Sequence, residues 1–206
     1  MTTTIAGLDV SRETLDALQH FDSALRKWTK QINLISRNTV DDIWTRHIVD
    51  SAQVWPLVPQ STQHLVDIGS GGGLPAIVIA ILAKEKSPSL QITLIESDQR
   101  KCAFLRSMSR ELSLGLNIIA DRIEDAPPQS ADVLTARALA SLSDLFPHIQ
   151  RHIAPHGRAL LLKGRTHASE VETARQSWQF SLTAHPSLTA DDARILEVGD
   201  IHRVTG

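Results

Sequence analysis

The sequence predicts an α/β fold with a mainly parallel sheet and helices on both of its faces. From His64 onward, short apolar runs typical of strands alternate with longer segments of helical period. The first run, 64–68, leads into a glycine cluster at 69–73, and a helix opens at Pro75. A strand, a glycine turn and a helix in this order are typical of a site at the carboxyl edge of a parallel sheet. Both observations indicate a doubly wound domain that binds a nucleotide-like ligand.

A helical cap is predicted before this domain. Apolar residues at steps of three and four from Leu15 to Ile35 predict one amphipathic helix of nearly six turns. It is expected to start at Ser11 and to end at 36–38. Two short helices follow, at about 41–48 and 51–58. We therefore expect two units, a cap over 1–60 and an α/β domain over 61–206.

Seven strands and four helices are predicted in the α/β domain. The strands lie at 64–68, 91–96, 116–120, 132–136, 158–163, about 178–185 and about 194–204. The helices lie at 75–84, 98–114, 141–153 and 166–177. Because no helix separates the last two strands, we expect them to form an antiparallel hairpin at one edge of the sheet.

Composition and charge narrow the class of protein. Of 206 residues, 42% are hydrophobic and 21% charged, which is ordinary for a globular chain. The net charge of −2 argues against strong nonspecific nucleic-acid binding but permits a local basic face. The single Cys102 excludes an internal disulfide, and we expect it to be half-buried on a helix. No export signal or membrane-spanning run is seen, so we expect a cytoplasmic protein.

The glycine cluster discriminates between cofactors. Its pattern is D-x-G-x-G-x-G, formed by Asp67, Gly69, Gly71 and Gly73, and Leu74 stands where a dinucleotide-binding turn has its third glycine. An acid at the strand end would meet a pyrophosphate with like charge, whereas it suits a cationic amino-acid tail. The turn resembles the first motif of S-adenosylmethionine (SAM) methyltransferases, and a nicotinamide dehydrogenase is disfavoured. The predicted sheet, seven-stranded and mostly parallel, is that of the Rossmann-like SAM methyltransferase fold.

The next two strand ends supply further candidate cofactor ligands. Glu96, followed by Ser97, ends the second strand of the domain and can accept both ribose hydroxyls. The turn at 121–124, which includes Ile123 and Glu124, fits the position that covers the adenine. The alternative is an ordinary doubly wound domain whose tight turn binds no ligand.

The whole chain resembles one family, the bacterial small-subunit ribosomal RNA guanine-N7 methyltransferases, also called RsmG or glucose-inhibited division protein B (GidB). The segments that carry the resemblance are 33–36, 46–51, 67–75, 96–101, 122–124, 137–142 and 162–164. The resemblance implies that SAM is bound by Gly69, Leu74, Ile123, Glu124 and Arg137, with Asp67 and Glu96 in support. It also implies N7 of a guanine in 16S rRNA (position 527 in the standard numbering of that RNA) as the methyl acceptor. Three features depart from the family pattern, namely Gly72, Ala76 and the tail 200–206.

A ring-nitrogen acceptor agrees with the residues that are absent. Guanine N7 has a free lone pair and no proton, so transfer to it requires positioning but no general base. The Asn/Asp-Pro-Pro-aromatic loop of exocyclic-amine methyltransferases is replaced by 135–138, which reads T-A-R-A, and Cys102 lies in the wrong element for a nucleophile. No catalytic base is therefore predicted.

Arg137 is the residue we expect to position substrate or cofactor. It ends the fourth strand beside the glycine turn, where open α/β sheets bind ligands. We expect it to contact a phosphate or the cofactor carboxylate, because a guanidinium at guanine O6 would compete for the N7 lone pair. The structural alternative is an ion pair with Asp67 or Glu124.

Two groups of histidines are ambiguous. The spacing of His47 and Asp50 is that of a helix-surface pair or a cap, whereas the family resemblance makes this segment a lid or scaffold over the methionine end of SAM. A zinc reading of His148, His152 and His156 is disfavoured, because Pro155 breaks the helix and no cysteine or acid completes a site. We predict no metal.

RNA recognition is predicted to rest on cations, because the chain has no Tyr and few aromatics on which bases could stack. The candidates are Arg100, Lys101, Arg122, Lys163 and Arg165. A solvated charged surface is the alternative reading. We expect a monomer whose substrate is a folded small ribosomal subunit or an assembly intermediate. Two alternative functions stay open, a small-molecule methyltransferase and a SAM-binding sensor without turnover.

Overall fold

The computed structural model describes residues 3–204 as two layers of helices around one large sheet. The strands are β1 (Thr3–Ile5), β2 (Leu8–Val10), β3 (His64–Ile68), β4 (Gln91–Ile95), β5 (Asn117–Ile119), β6 (Ala131–Arg137), β7 (Ile153–Lys163), β8 (Trp178–Pro186) and β9 (Arg194–Arg203). The helices are α1 (Arg12–Thr29), α2 (Asp50–Ala52), α3 (Ala76–Lys86), α4 (Gln99–Glu111), α5 (Leu142–His152) and α6 (His167–Arg175). The predicted α/β class and its seven-stranded sheet are confirmed.

The strand order of the sheet is β5-β4-β3-β6-β7-β9-β8. Strands β5, β4, β3, β6 and β7 pair in parallel, and β9 is antiparallel to both β7 and β8, as predicted for the terminal hairpin. The order reverses between β3 and β6, and the carboxyl ends of strands at such a reversal form a crevice. The tail that departs from the family pattern pairs as β9 to Arg203, while residues 205 and 206 lie outside the described residues.

The first helix is shorter than predicted. Ser11 caps α1 as expected, with Oγ accepting from the Thr14 N–H at 3.1 Å, but the helix ends at Thr29 and not at 36–38. The carbonyl of Trp28 accepts from the N–H groups of both Gln31 and Ile32, which closes the last turn. The chain then leaves the helix axis, which brings 33–36 to the glycine turn. The helical spacing of apolar residues continues past Thr29 because Leu34 and Ile35 are also buried, although they do not lie on a helix.

The cap also differs from prediction in its short elements. In place of helices at 41–48 and 51–58, the structure has a 3₁₀ helix (Arg37–Asp42), a π-helix (Trp44–Val49), α2 and a second 3₁₀ turn (Trp55–Leu57). A hairpin of β1 and β2, not predicted, precedes α1. Single π turns occur often at functional sites, because the wider turn re-aims side chains.

Two hydrophobic clusters hold the helices on the sheet. On one face, Phe21 of α1 stacks on Phe104 of α4 with ring centroids 6.3 Å apart, and α3 buries every residue from Ala76 to Ala83. On the other face, Phe146 of α5 packs edge-on against Trp178 of β8. Because the cap shares the first cluster with α3 and α4, the division at residue 60 stays a prediction. Within 3–204, none of the helices combines the length and apolar character needed to span a bilayer.

Candidate functional site

The turn after β3 takes the backbone conformation that its glycines permit. Gly69, Gly71 and Gly73 all have positive φ, at 64°, 53° and 79°. Inside the turn, the Ser70 hydroxyl donates to the carbonyl of Asp67 at 3.0 Å, and the N–H of Gly73 donates to the carbonyl of Ser70 at 2.7 Å. A Cβ at Gly71 would have only the Gly69 carbonyl oxygen within 4 Å, at 3.7 Å, so the backbone is open to close approach there.

Glu96, just after β4, ties the neighbouring strand to this turn. Its Oε2 accepts from the N–H of Gly71 at 2.7 Å, and its Oε1 accepts from the N–H of Asp98 at 2.8 Å. The side chain is largely buried but lines the cavity over the turn. Each carboxylate oxygen keeps one acceptor position, so Glu96 can still accept hydrogen bonds from a ligand.

Asp67 lies beneath the turn. Its Oδ1 accepts from the Thr135 hydroxyl at 2.6 Å, while its buried Oδ2 has no hydrogen-bond partner among the described residues. Burial, opposed by the Thr135 hydrogen bond, raises the pKa of Asp67 to about 7. A buried carboxylate with a free oxygen is suited to a cationic group placed above the turn.

A cavity of about 720 Å³ lies over the turn and the ends of β3, β4 and β6. Eight of the predicted cofactor residues line it, namely Gly69, Gly71, Leu74, Glu96, Ser97, Ile123, Glu124 and Arg137. Asp67 and Gly73 do not line it and support the turn from below. Thr39 and Leu139 also line the cavity and were not predicted as cofactor residues. Thr39 carries no recognisable pattern, whereas Leu139 lies in the segment 137–142 that carries the family resemblance.

Arg137, at the end of β6, is mostly buried and has three neighbours from the cap. Its Nη2 donates to the carbonyl of Arg46 at 3.0 Å and to Nδ1 of His47, and its Nη1 lies 3.5 Å from Oδ2 of Asp50. The structural ion pair is therefore with Asp50, and the alternative that named Asp67 or Glu124 is wrong. No hydrogen-bond acceptor for the buried Nη1 is present among the described residues.

His47 is buried, so the surface-pair alternative for His47 and Asp50 is also wrong. Thr39 Oγ1 lies 2.8 Å from Nε2 of His47 and donates its own proton to the carbonyl of Ser36 at 2.8 Å. His47 Nε2 must then carry the ring proton, which leaves Nδ1 as the acceptor for Arg137. Burial and the charge of Arg137 lower the pKa of His47 to about 4, so the ring is neutral at pH 7.

A second cavity, of about 540 Å³, adjoins the first. Five residues line both, namely Thr39, His47, Arg137, Ala138 and Leu139. The second cavity is charged, with four cationic side chains (Arg46, Arg137, Lys163, Arg194) and two carboxylates (Asp50, Glu170), which leaves an excess of two positive charges. Arg137 and its neighbours 138 and 139 thus border both cavities, together with Thr39 and His47.

The predicted RNA-binding cations do not share one environment. Arg100, Arg122 and Arg165 are well exposed, with acidic neighbours at 3.4 to 4.0 Å, and Lys101 lines the first cavity. Lys163 is only 9% exposed and its Nζ donates to Glu170 at 2.8 Å and to the carbonyl of Ala140. A phosphate role for Lys163 therefore does not fit its position, because its charge is already used to hold the 138–140 loop.

The other residues considered for a functional role are Cys102 and the histidines near the end of α5. Cys102 is completely buried rather than half-buried, and its Sγ–H donates to the carbonyl of Glu96 at 3.1 Å. His152 is buried with Nε2 2.8 Å from the carbonyl of Ile123, whereas His156 is exposed on β7. Across residues 3–204, the structure gathers no group of three His, Cys, Asp or Glu that could hold a metal ion.

Comparison with solved structures supports the methyltransferase architecture. A methyltransferase from Geobacter sulfurreducens superposes with a TM-score of 0.55 at 14% identity, over 96% of this chain and 91% of that one. A SAM-dependent methyltransferase from Aquifex aeolicus gives a TM-score of 0.57 at 10% identity, over 78% and 95% of the two chains. At these identities the similarity shows the fold alone.

Comparison of sequences is more specific. The family model described as rRNA small subunit methyltransferase G (GidB) matches residues 14–196. A protein from Ruegeria sp. (strain TM1040) named ribosomal RNA small subunit methyltransferase G is 50% identical over 197 residues, which cover 96% of each chain. The match spans the glycine turn, Glu96, Arg137 and the cap segment that contacts Arg137. The chain therefore belongs to the GidB family of rRNA small subunit methyltransferases G.

Proposed function

We propose that this chain transfers a methyl group from SAM to N7 of a guanine in 16S rRNA. The observation that carries the proposal is the pair of adjoining cavities, which share lining residues. Group transfer needs a donor and an acceptor held in contact, and the two sites meet at Arg137, His47 and Leu139, which border both. The family assigns the class of RNA, and the cavities supply the geometry.

The first cavity fits SAM by its donors and acceptors. Asp67, beneath the turn, would act on the ammonium group through its charge and not by contact, and Arg137, which lines the cavity, would face the carboxylate of the amino-acid tail. Glu96 has acceptor capacity left for the ribose hydroxyls, and Ile123 offers an apolar contact to the adenine. When bound, SAM supplies an electrophilic methyl group on a sulfonium.

The chain's own task is to orient the acceptor. Guanine N7 carries a lone pair and no proton, so a site without a general base is sufficient. Neutral His47 accepts from Arg137 and fixes the guanidinium where the two cavities meet. Because Arg137 is bound by Arg46, His47 and Asp50, its position is set before either ligand binds.

The second cavity fits a nucleotide of a folded RNA. Its excess positive charge suits a phosphate-bearing ligand. We propose that the substrate is 16S rRNA within the small ribosomal subunit or an assembly intermediate, which places the reaction in the cytoplasm. One chain lines both cavities, so a monomer is sufficient.

Transfer of labelled methyl from SAM to small subunits tests the proposal. Subunits from cells that lack this protein should accept label, whereas subunits already methylated at the acceptor should not. Arg137→Ala should lower transfer by at least about 100-fold, because it leaves His47 and Asp50 without their cation. Binding of SAM without transfer to subunits or free rRNA would contradict the proposal and favour the small-molecule or sensor function.

A further inference from the structure

Asp50 offers a free acceptor in the second cavity. Its Oδ1 accepts from Nε2 of Gln53 at 2.8 Å and from the hydroxyl of Thr189 at 2.7 Å. Among the side chains that the structure describes, none donates a hydrogen bond to Oδ2, whose neighbour Arg137 Nη1 is 3.5 Å away. Because a carboxylate oxygen accepts about two hydrogen bonds, Oδ2 keeps its capacity for a ligand.

Contacts from two elements fix the direction of this carboxylate. Gln53, one residue past α2, also accepts from the N–H of Leu188 at 2.7 Å and donates to the Ser187 hydroxyl at 3.2 Å. The cap and the loop between β8 and β9 therefore hold Asp50 between them, and its side chain is only 16% exposed. A group held in this way is preorganised for recognition.

The other carboxylate of the cavity, Glu170, has less capacity left, with one acceptor position on Oε1. Oε2 of Glu170 accepts from Lys163 at 2.8 Å and from the N–H of Leu142 at 3.2 Å, and Oε1 accepts from the Thr166 hydroxyl at 2.9 Å. Its hydrogen bonds serve to hold β7, α5 and α6 together. Asp50, with one oxygen that accepts no hydrogen bond from the described side chains, is therefore the carboxylate with the greater capacity for a base.

The chemistry of guanine matches such an acceptor. Guanine presents O6 and N7 as acceptors on one edge and N1–H and N2–H₂ as donors on its Watson–Crick edge. If N7 points to the first cavity, the donor edge points away from it, and Asp50 lines only the second cavity. Adenine presents the unprotonated N1 at the corresponding place, which a carboxylate repels. Enzymes that act on an extruded base read its Watson–Crick edge in this way.

We propose that Asp50 recognises the N1–H and N2–H₂ edge of the acceptor guanine and thereby excludes adenine. The proposal rests on the proposed function and names the residue that sets its base specificity. Asp50 would contact Arg137 on one side and the base on the other.

Transfer to subunits that carry guanine or adenine at the acceptor position tests this role. The unchanged protein should prefer guanine by roughly 100-fold or more. Asp50→Asn should lower kcat/KM on guanine subunits by roughly 10- to 100-fold. It should also reduce the ratio of kcat/KM on guanine subunits to kcat/KM on adenine subunits, because the amide can donate to adenine N1. Glu170→Gln, the matched carboxylate-to-amide control, should keep the ratio. SAM affinity and the unfolding midpoint of each variant control for structural damage.

The outcomes separate this role from a structural one. If Asp50→Asn loses activity equally on both subunits, Asp50 serves only to hold Arg137 and the proposal is overturned. If the variant transfers to neither subunit, binding to the two subunits in the presence of SAM is compared, and a retained preference for guanine overturns the proposal. An inactive unchanged protein would instead overturn the proposed function itself.

Discussion

At the scale of the residue, two buried groups of opposite charge define the site. Asp67 and Arg137 lie near the carboxyl ends of neighbouring strands, and each has one polar atom without a hydrogen-bond partner among the described residues. Position at a strand end beside a glycine turn made both residues predictable from the sequence. The partners of Arg137 were not predictable, because His47 and Asp50 lie some 90 positions earlier, on a π-helix and at its end.

The raised pKa of Asp67 predicts pH-dependent binding of SAM. Burial holds the carboxyl protonated below about pH 7, whereas an ammonium group above it favours the charged form. Binding should therefore release a proton below pH 7, and affinity should rise with pH by up to about tenfold per unit before it levels off above 7. Titration calorimetry between pH 5.5 and 7.5 measures this profile, below the pH at which an α-ammonium group loses its own proton.

Asp67→Asn is the matched control for that profile. The amide keeps an oxygen for the Thr135 hydroxyl but cannot titrate, so its binding should be weaker above pH 7 and nearly independent of pH. The pKa of His47, at about 4, lies below the measured range and should not contribute. A flat profile for the unchanged protein would contradict the role given to Asp67.

At the scale of the element, the regular strands and helices followed from sequence and the cap did not. The apolar runs, alternating with segments of helical period, predicted the bounds of β3, β4, β6, β8 and β9 to within a residue or two. Strand β7 begins at Ile153 rather than at 158, because Ala131 pairs with Ile153 before an irregularity in the ladder. Helix α1 ended early because tertiary contacts with the glycine turn draw 33–36 away from its axis. Gly72 accommodates this approach, since a Cβ there would lie 3.0 Å from the carbonyl oxygen of Leu34.

The packing of the glycine turn on α3 predicts unequal costs for two similar substitutions. Gly73→Ala combines positive φ with a Cβ about 2.7 Å from Cγ1 of Ile77, so we expect a loss of about 2–4 kcal/mol in the free energy of unfolding. Gly115→Ala has positive φ but nothing within 4 Å of its Cβ, so backbone strain alone should cost about 1–2 kcal/mol. Chemical denaturation measures both losses, and equal values would contradict this account of the turn.

At the scale of the whole molecule, shape and a few local charges must supply RNA affinity, because the chain as a whole carries a net charge of −2. The sheet reverses its strand order beside the site, the cap closes one side of both cavities, and the β8–β9 loop contacts the cap at Gln53. Only the sheet was predictable from sequence. The contact between cap and loop depends on side chains more than 130 positions apart.

The different environments of the cations predict how binding responds to salt. Arg122 is well exposed beside the first cavity, so we expect it to contact a phosphate. A plot of log affinity for small subunits against log salt concentration falls with a negative slope, and Arg122→Ala should make that slope shallower by about 0.7–0.9. Lys163 is buried against Glu170, so Lys163→Met should leave the slope unchanged. Filter binding over a range of salt concentrations measures both slopes. A fall for Lys163→Met as large as that for Arg122→Ala would show that Lys163 meets phosphate after all.

The most direct measurement is chemical cleavage at N7-methylated guanine in 16S rRNA. Small subunits from cells that lack this protein are incubated with the protein and SAM, and the extracted RNA is reduced and cleaved with aniline. The account predicts one new break, at a single guanine, that requires both the protein and SAM and is lost with Arg137→Ala. Methyl incorporation without that break would place the methyl group on another atom and contradict the central claim.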